Sequence, residues 1–435
     1  MRHLALTLAT LLATTPLPAS AQTLTTLFSF GGANGEILEG GVILDSAGNL
    51  FGTTRDGGAS NSGTVFRLSD NGAGGYTHTT LLSFTGLNGR QPFAGLTLDP
   101  AGNLLGTTSR GGASDAGTVF RLSDNGAGGY AHTTLLSFNG DNGSVPYAGL
   151  TLHPAGDLFG TTYSGGDFAA GTVFRLSDNG AGGYTHTTLH SFTGPNGRSP
   201  FAGLTLDAAG NLFGTTRAGG TSNFGTVFRL SDNGAGGYTH TTLLSFNNTN
   251  GRDPFAGLTL DPAGNLFGTT RQGGVSNRGT VFRLSDNGAG GYTHSTLFSL
   301  SYPYFEPYGG LIIDAVGNIF GTTRQGGLSG GGTIFRLSDN GAGEYTDTTL
   351  YSFDIPTGVS PRGDLVADAA GNLYGTTEDG GSPSYGGTVF RLSNAGFVVA
   401  SNEAPTSTPE PASVALLSLA VLSLAATRRR HPAAA

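Results

Sequence analysis

Five carboxylates near opposite ends of the chain are the groups best suited to chemistry. Glu36 and Glu39 follow the first apolar segment, while Asp364, Glu378 and Asp379 stand close to the last one. A fold that joins the two ends would gather them. Such a group could hold a hard cation such as Ca²⁺ through oxygen ligands, or supply the acid and base of a glycosidase. The plainer reading is a set of solvated loop charges.

Two further groups could recognise a polymer. The segment Ser301–Tyr308 carries Tyr302, Tyr304, Phe305 and Tyr308, whose rings could stack on sugars; its alternative role is an apolar plug in the one shortened repeat. Arg90, Arg198 and Arg252 recur at matching positions, and Arg55, Arg217, Arg271 and Arg324 each follow a Thr-Thr pair. Arranged around a ring they could touch an anionic polymer several times, or simply bond nearby loop carbonyls.

Other repeated residues carry less. Seven arginines from Arg67 to Arg391 recur too regularly to mark one site and read as fixed partners of nearby Asp or backbone carbonyls. His78, His132, His186, His240 and His294 fall on separate outer strands, too far apart to share a metal. The Asn-Gly-Ala-Gly-Gly loops open no helix, so a phosphate cradle lacks its context. The Thr-Thr rows would not form a flat ice-binding array on radiating sheets.

The elements that position these groups come from a repeat. The glycine of the Leu-Phe-Gly-Thr-Thr run falls at Gly52, Gly106, Gly160, Gly214, Gly268, Gly321 and Gly375. A period of about 54 residues filled with short strands and turns signals a closed array of sheets. Each unit reads as strand A (Gly-Leu-Thr-Leu-Asp), B (Leu-Phe-Gly-Thr-Thr), C (Gly-Thr-Val-Phe-Arg-Leu) and D (Tyr-Thr-His-Thr-Thr-Leu-Leu-Ser-Phe), punctuated by Asp-Pro-Ala-Gly-Asn and Asn-Gly turns. A lone four-stranded sheet is marginal in water, so seven packed radially are expected: an all-β, seven-bladed β-propeller of four-stranded blades over residues 22–393. An open β-solenoid is the alternative. The chain starts with a lone D-type segment, Leu24 to Phe30, and ends with A, B and C, so the N-terminal strand should pair with the last blade and close the ring. Strand A then lines the channel, and the variable B–C and D–A loops share one face.

Composition narrows the function. All 21 basic residues are arginine, the formal charge is -8, and Gly numbers 76. An acidic body is a poor nucleic-acid binder. With no cysteine there is neither a disulfide framework nor a thiolate metal site. No cofactor is required by any motif, and Ca²⁺ is the ion the carboxylates would suit.

The ends address the location. Residues 1–21 have Arg2 and His3, an apolar stretch and Ala19-Ser20-Ala21, the pattern of a secretory signal peptide. A linker over 394–408 leads to a segment, 409–435, holding Pro409-Glu410-Pro411, a short apolar run and Arg428-Arg429-Arg430. That order resembles the PEP-CTERM sorting signal of bacterial surface proteins. The resemblance implies an exosortase-type partner, transient contact with the inner membrane, and cells with an outer membrane that make exopolysaccharide. The seven-unit pattern with its Gly-Thr-Val-Phe-Arg-Leu and Leu-Phe-Gly-Thr-Thr signatures, from about residue 24 to 393, resembles the GloVer tandem-repeat proteins. That resemblance implies fold and location, not an activity.

The expectation is an exported repeat propeller of the cell surface or extracellular matrix, acting as a binding or structural module toward polysaccharide. The alternative is a secreted glycosidase or lyase using the acidic group at the junction of the first and last blades. Near-identical units favour the module, because a catalytic centre breaks symmetry with unlike residues.

Overall fold

Each repeat becomes a sheet because its apolar runs are too short for helices and are separated by turn residues, leaving the backbone to pair between neighbouring runs. In the third blade strand A is Thr151–Leu152, B is Leu158–Thr162, C is Thr172–Asp178 and D is Tyr184–Ser191. They pair antiparallel in that order. The computed structural model describes residues 21–400 apart from 73–74, 127–128, 181–182, 235 and 289. Among these, seven four-stranded sheets form a seven-bladed β-propeller. The propeller belongs to a compact unit ending at Val398; the remainder, Val399–Ala435, lies almost wholly outside the described residues. The stretches expected to be a signal peptide and a sorting tail, including Pro409, Glu410, Pro411, Arg428, Arg429 and Arg430 but not Ala21, also lie outside them.

Ring closure follows the sequence expectation. Thr23–Ser29 pairs antiparallel with Thr388–Ser393, placing Leu24 opposite Leu392 and Ser29 opposite Thr388. The N-terminal strand is thus the outer strand of the seventh blade, and no edge is left between first and last repeats.

The apolar residues meet between blades. Leu105, Val119 and Phe138 of the second blade pack on Leu150, Leu158, Phe174 and Leu176 of the third, and this seven-residue cluster recurs around the ring. The strand B glycine makes room for it: a Cβ on Gly160 would lie 2.5 Å from Cζ of Phe174, so only glycine lets that ring lie flat. Two threonines then fix the B–C loop. Thr162 Oγ1 and Thr172 Oγ1 stand 2.8 Å apart in the core, and Thr162 Oγ1 donates to the carbonyl of Ser164 at 2.9 Å. The strand C arginines differ from expectation. Among the described residues none of the seven forms an ion pair with an Asp, and the Nε of Arg67, Arg121, Arg175, Arg229, Arg283, Arg336 and Arg391 is in each case buried without a hydrogen-bond partner.

Candidate functional site

Seven loops converge where the D–A segments enter the channel. Each carries one residue in the left-handed region: Ile37, Gln91, Val145, Ser199, Asp253, Glu306 and Ser360. For β-branched Ile37 and Val145 this conformation is costly and must be imposed by surroundings. Hydrogen bonds impose it. The Val145 amide donates to the carbonyl of Ala116 in the preceding blade at 2.8 Å, and the Val145 carbonyl accepts from Tyr163 at 3.1 Å. Two residues farther on, each loop delivers one side chain to the channel mouth.

Those seven side chains are Glu39, Phe93, Tyr147, Phe201, Phe255, Tyr308 and Arg362, one per blade. Five consecutive blades give aromatics whose neighbouring centroids lie 4.6, 4.8, 4.7 and 4.8 Å apart. The guanidinium of Arg362 continues the circle 4.8 Å from the Tyr308 ring, and Arg362 pairs with Glu39. Below the mouth lies a cavity of about 460 Å³. That volume falls in the usual range for small-molecule sites.

Behind the mouth a ladder of alternating charge runs through blades 1, 7, 6 and 5. Asp56 pairs with Arg55 at 2.8 Å, and Arg55 with Glu39 at 3.1 Å. Arg362 joins Glu39 to Glu378, the latter at 2.8 Å. Arg324 then links Glu378 at 3.3 Å to Glu306 at 3.8 Å, and Glu306 meets Arg271 at 2.9 Å. The ladder joins the aromatic arc at both ends, with Arg55 5.7 Å from the Phe93 ring and Arg271 5.5 Å from that of Tyr308.

The five carboxylates expected to gather do so only in part. Glu39 and Glu378 share Arg362, but Glu36 accepts from the Gly32 amide at 2.7 Å in an outer turn, and Asp379 is exposed. Asp364 projects into the lumen, where Oδ1 accepts from the Gly310 amide. Among the described residues no group of three or more acidic or imidazole side chains is placed to hold a metal ion. The physical reason is the interleaved arginines, which neutralise the carboxylates a cation would need. Burial pushes the Glu39 carboxyl above its ordinary range, with Arg362 opposing. Asp379 is also raised: neighbouring groups shield part of this exposed carboxyl from water, and the Glu378 charge adds to the effect.

The aromatic segment of the irregular loop also divides. Tyr304 is buried between blades 5 and 6, where its hydroxyl donates to Asp347 at 2.9 Å and its ring packs on Phe335. It fills a seam and is closed to a sugar. Tyr302 is exposed, Phe305 lies under the Arg278 guanidinium at 3.6 Å, and Tyr308 alone reaches the channel mouth. Arg90 is held by Asp115 at 3.0 and 2.7 Å, Arg252 bonds Gln272 at 2.6 Å, and Arg198 is exposed; none of the three lines the cavity.

Reading the repeats one at a time missed Phe93, Tyr147, Phe201, Phe255 and Arg362. The signal was a column: at one position of the repeat five successive units carry an aromatic while the flanking two carry Arg and Glu.

The fold and mouth define a seven-bladed propeller with an axial pocket built from one repeated loop. The Gloeobacter/Verrucomicrobia repeat matches residues 14–153, 127–304 and 235–408, and the chain belongs to this family. No curated protein matches. Among solved structures, the extracellular domain of a hybrid two-component system from B. thetaiotaomicron aligns with a TM-score of 0.55 at 11% identity, over 85% of this chain and 39% of that one. A candidate 6-phosphogluconolactonase from Bacteroides uniformis aligns at 0.49 and 16% identity, over 75% of this chain and 88% of that one. At these identities the likeness is one of fold alone.

Proposed function

We propose that the protein is an exported binding module of the cell surface or matrix that holds extracellular polysaccharide at its channel mouth. The observation that carries this reading is the arc of five aromatics, four half-buried and Phe255 buried, closed by a Glu–Arg pair over a cavity of about 460 Å³. Aromatic faces stack on the apolar side of sugar rings, and charged groups beside them take hydroxyls. Export, and handling of the tail by an exosortase-type enzyme, are parts of the proposal supported by residues 1–21 and by Pro409-Glu410-Pro411 with its arginine cluster. The chain has no tryptophan, so its emission comes from 14 tyrosines, of which Tyr147 and Tyr308 stand at the mouth. Titration of the full chain with xylan, mannan and β-glucan should change that emission, and Phe201→Ala should weaken binding by about tenfold. Unchanged emission with all three polymers, together with no retention on them, would refute the reading.

A second reading has one observation in its favour. Glu39, raised by burial, stands at the pocket where a general acid would be needed. Release of reducing sugar by the wild type but not by Glu39→Gln would establish a glycosidase. Polymers recovered intact would leave only binding.

A further inference from the structure

The lumen wall contains an unexplained set of glycines. At the second position after the mouth residue six blades carry Gly41, Gly95, Gly149, Gly203, Gly257 and Gly310, while the seventh carries Asp364. At Gly149, Gly203 and Gly257 no left-handed φ requires glycine, and at Gly203 and Gly257 sterics do not require it either. A Cβ there would come no nearer than 3.3, 3.6 and 3.7 Å to another atom, and none of the three has a left-handed φ. A side chain at these positions would occupy only the cavity. The glycines keep the lumen empty at a conformational cost to folding.

Asp364 shows what the emptied space can bind. Its carboxylate stands in the lumen, accessible to water yet enclosed by the ring of blades, and takes the Gly310 amide of the neighbouring blade. The matching amides of Gly95, Gly149, Gly203 and Gly257 have no protein acceptor among the described residues. One half of the wall therefore offers donors, and Asp364 Oδ2 offers an acceptor without a hydrogen-bond partner among the described residues. A polyhydroxylated ring satisfies both, because each hydroxyl accepts from an amide and donates to a carboxylate. A simple anion would meet Asp364 as a like charge, and a cation would find beside Asp364 only Glu39 among the acidic residues lining the pocket, already paired with Arg55 and Arg362.

We propose that the lumen is a chamber for one terminal sugar residue, inserted end-on past the aromatic mouth, with Asp364 as its anchoring carboxylate. This rests on the glycan reading above and adds that the protein reads chain ends. Seven loops encircle the mouth, so a chain can enter or leave only along the axis, and the interior of a polymer cannot lie across the pocket.

The test compares xylan, mannan and β-glucan, intact and after partial acid hydrolysis, by tyrosine emission and by retention of the full-length chain. Protein bound per gram of polymer should rise in proportion to the number of ends. Gly203→Leu, which fills the lumen without touching the mouth, should lower affinity by more than about tenfold while the melting temperature holds, and Asp364→Asn should weaken it by about tenfold. Binding that ignores hydrolysis, or a stably folded Gly203→Leu chain that binds as tightly as wild type, overturns the chamber and leaves glycan binding at the mouth standing. If neither intact nor hydrolysed polymer binds, both fall.

Discussion

Blades 2 to 5 and blades 6, 7 and 1 are built from one repeat yet solve the channel differently. On the first side each blade gives the mouth an aromatic, followed by an alanine. There Thr107, Thr161 and Thr215 donate across the seam to the carbonyls of Ala148, Ala202 and Ala256 at 2.8, 2.9 and 3.0 Å. On the other side that alanine becomes Gly309, Gly363 and Gly40, the backbones approach more closely, and past Tyr308 of blade 6 the mouth turns ionic at Arg362 and Glu39. The seams flanking blade 6 lose the threonine bond: Thr269 and Thr322 have buried hydroxyls without partners. The outer rim changes as well. Blades 1 to 5 place a histidine opposite the strand C leucine, whereas blade 6 has Asp347 and blade 7 has Leu24. Identical units make a scaffold, and departures concentrated in one sector make it specific.

The comparison breaks hardest at closure. Deleting residues 22–30 strips blade 7 of its outer strand and exposes the edge of Thr388–Ser393 together with Phe390 and Leu392. The deleted chain should lose cooperative melting and aggregate on size exclusion, as an unpaired hydrophobic edge does. A monomer that melts near the wild-type temperature would show that the ring does not depend on this strand.

Next in size is the centre of the ladder. Arg362→Ala leaves Glu39, whose side chain is 5% exposed, with only Arg55, and Glu378 with only Arg324. Removing one partner of a buried ionic group costs about 3 kcal/mol, measurable by urea denaturation. The same truncation at Phe201 removes a half-buried ring from a mouth that keeps its other aromatics, and should cost less stability than Arg362→Ala. Equal losses would mean that the ladder is no more than surface charge.

The scaffold was legible in the sequence and the site was less so, for a physical reason. The strand order, the lone N-terminal strand and its pairing follow from apolar alternation and turn residues, which are local. Glu39 and Glu378 were legible as neighbours because ring closure brings their blades together. That they would hold arginine rather than a cation was not, since Arg362 sits in a loop that no motif marks. Tyr304 shows the same limit. Its ring could have faced solvent or a seam, and the seam wins because Asp347 replaces histidine and gives its hydroxyl an acceptor. Side-chain direction in a loop depends on neighbours distant in sequence.

The histidine difference gives a pH dependence. Burial lowers the pKa of His78, His132, His186, His240 and His294, and that of His240 is pushed down to about 4, with His190 stacked on it at 4.3 Å. Unfolded histidine takes a proton near pH 6.5, so between there and about pH 4 the unfolded chain binds more protons. Stability is then fully present above pH 6.5 and falls as the pH drops toward 4. Glu39, Asp364 and Asp379, raised in the fold, act in the opposite sense, since the folded chain takes their protons first. The histidines are more numerous, so the melting temperature should fall on acidification across this window, and His240→Phe should flatten the slope. A slope unchanged in that variant would mean that the blade 1 to 5 rim does not govern acid sensitivity.

The smallest effect separates the two sectors most cleanly. Thr161→Val and Thr322→Val make the same change at equivalent positions. In the first, the Ala202 carbonyl loses its donor across the seam, and the lost hydrogen bond should cost about 1 kcal/mol. In the second, a buried hydroxyl without a partner is replaced by a methyl, so stability should hold or rise slightly. Paired melts of the two variants measure the difference between a seam closed by side-chain bonding and one closed by backbone approach at Gly363. Two equal losses would place a bridging water on Thr322, and the seams would then differ in geometry but not in energy.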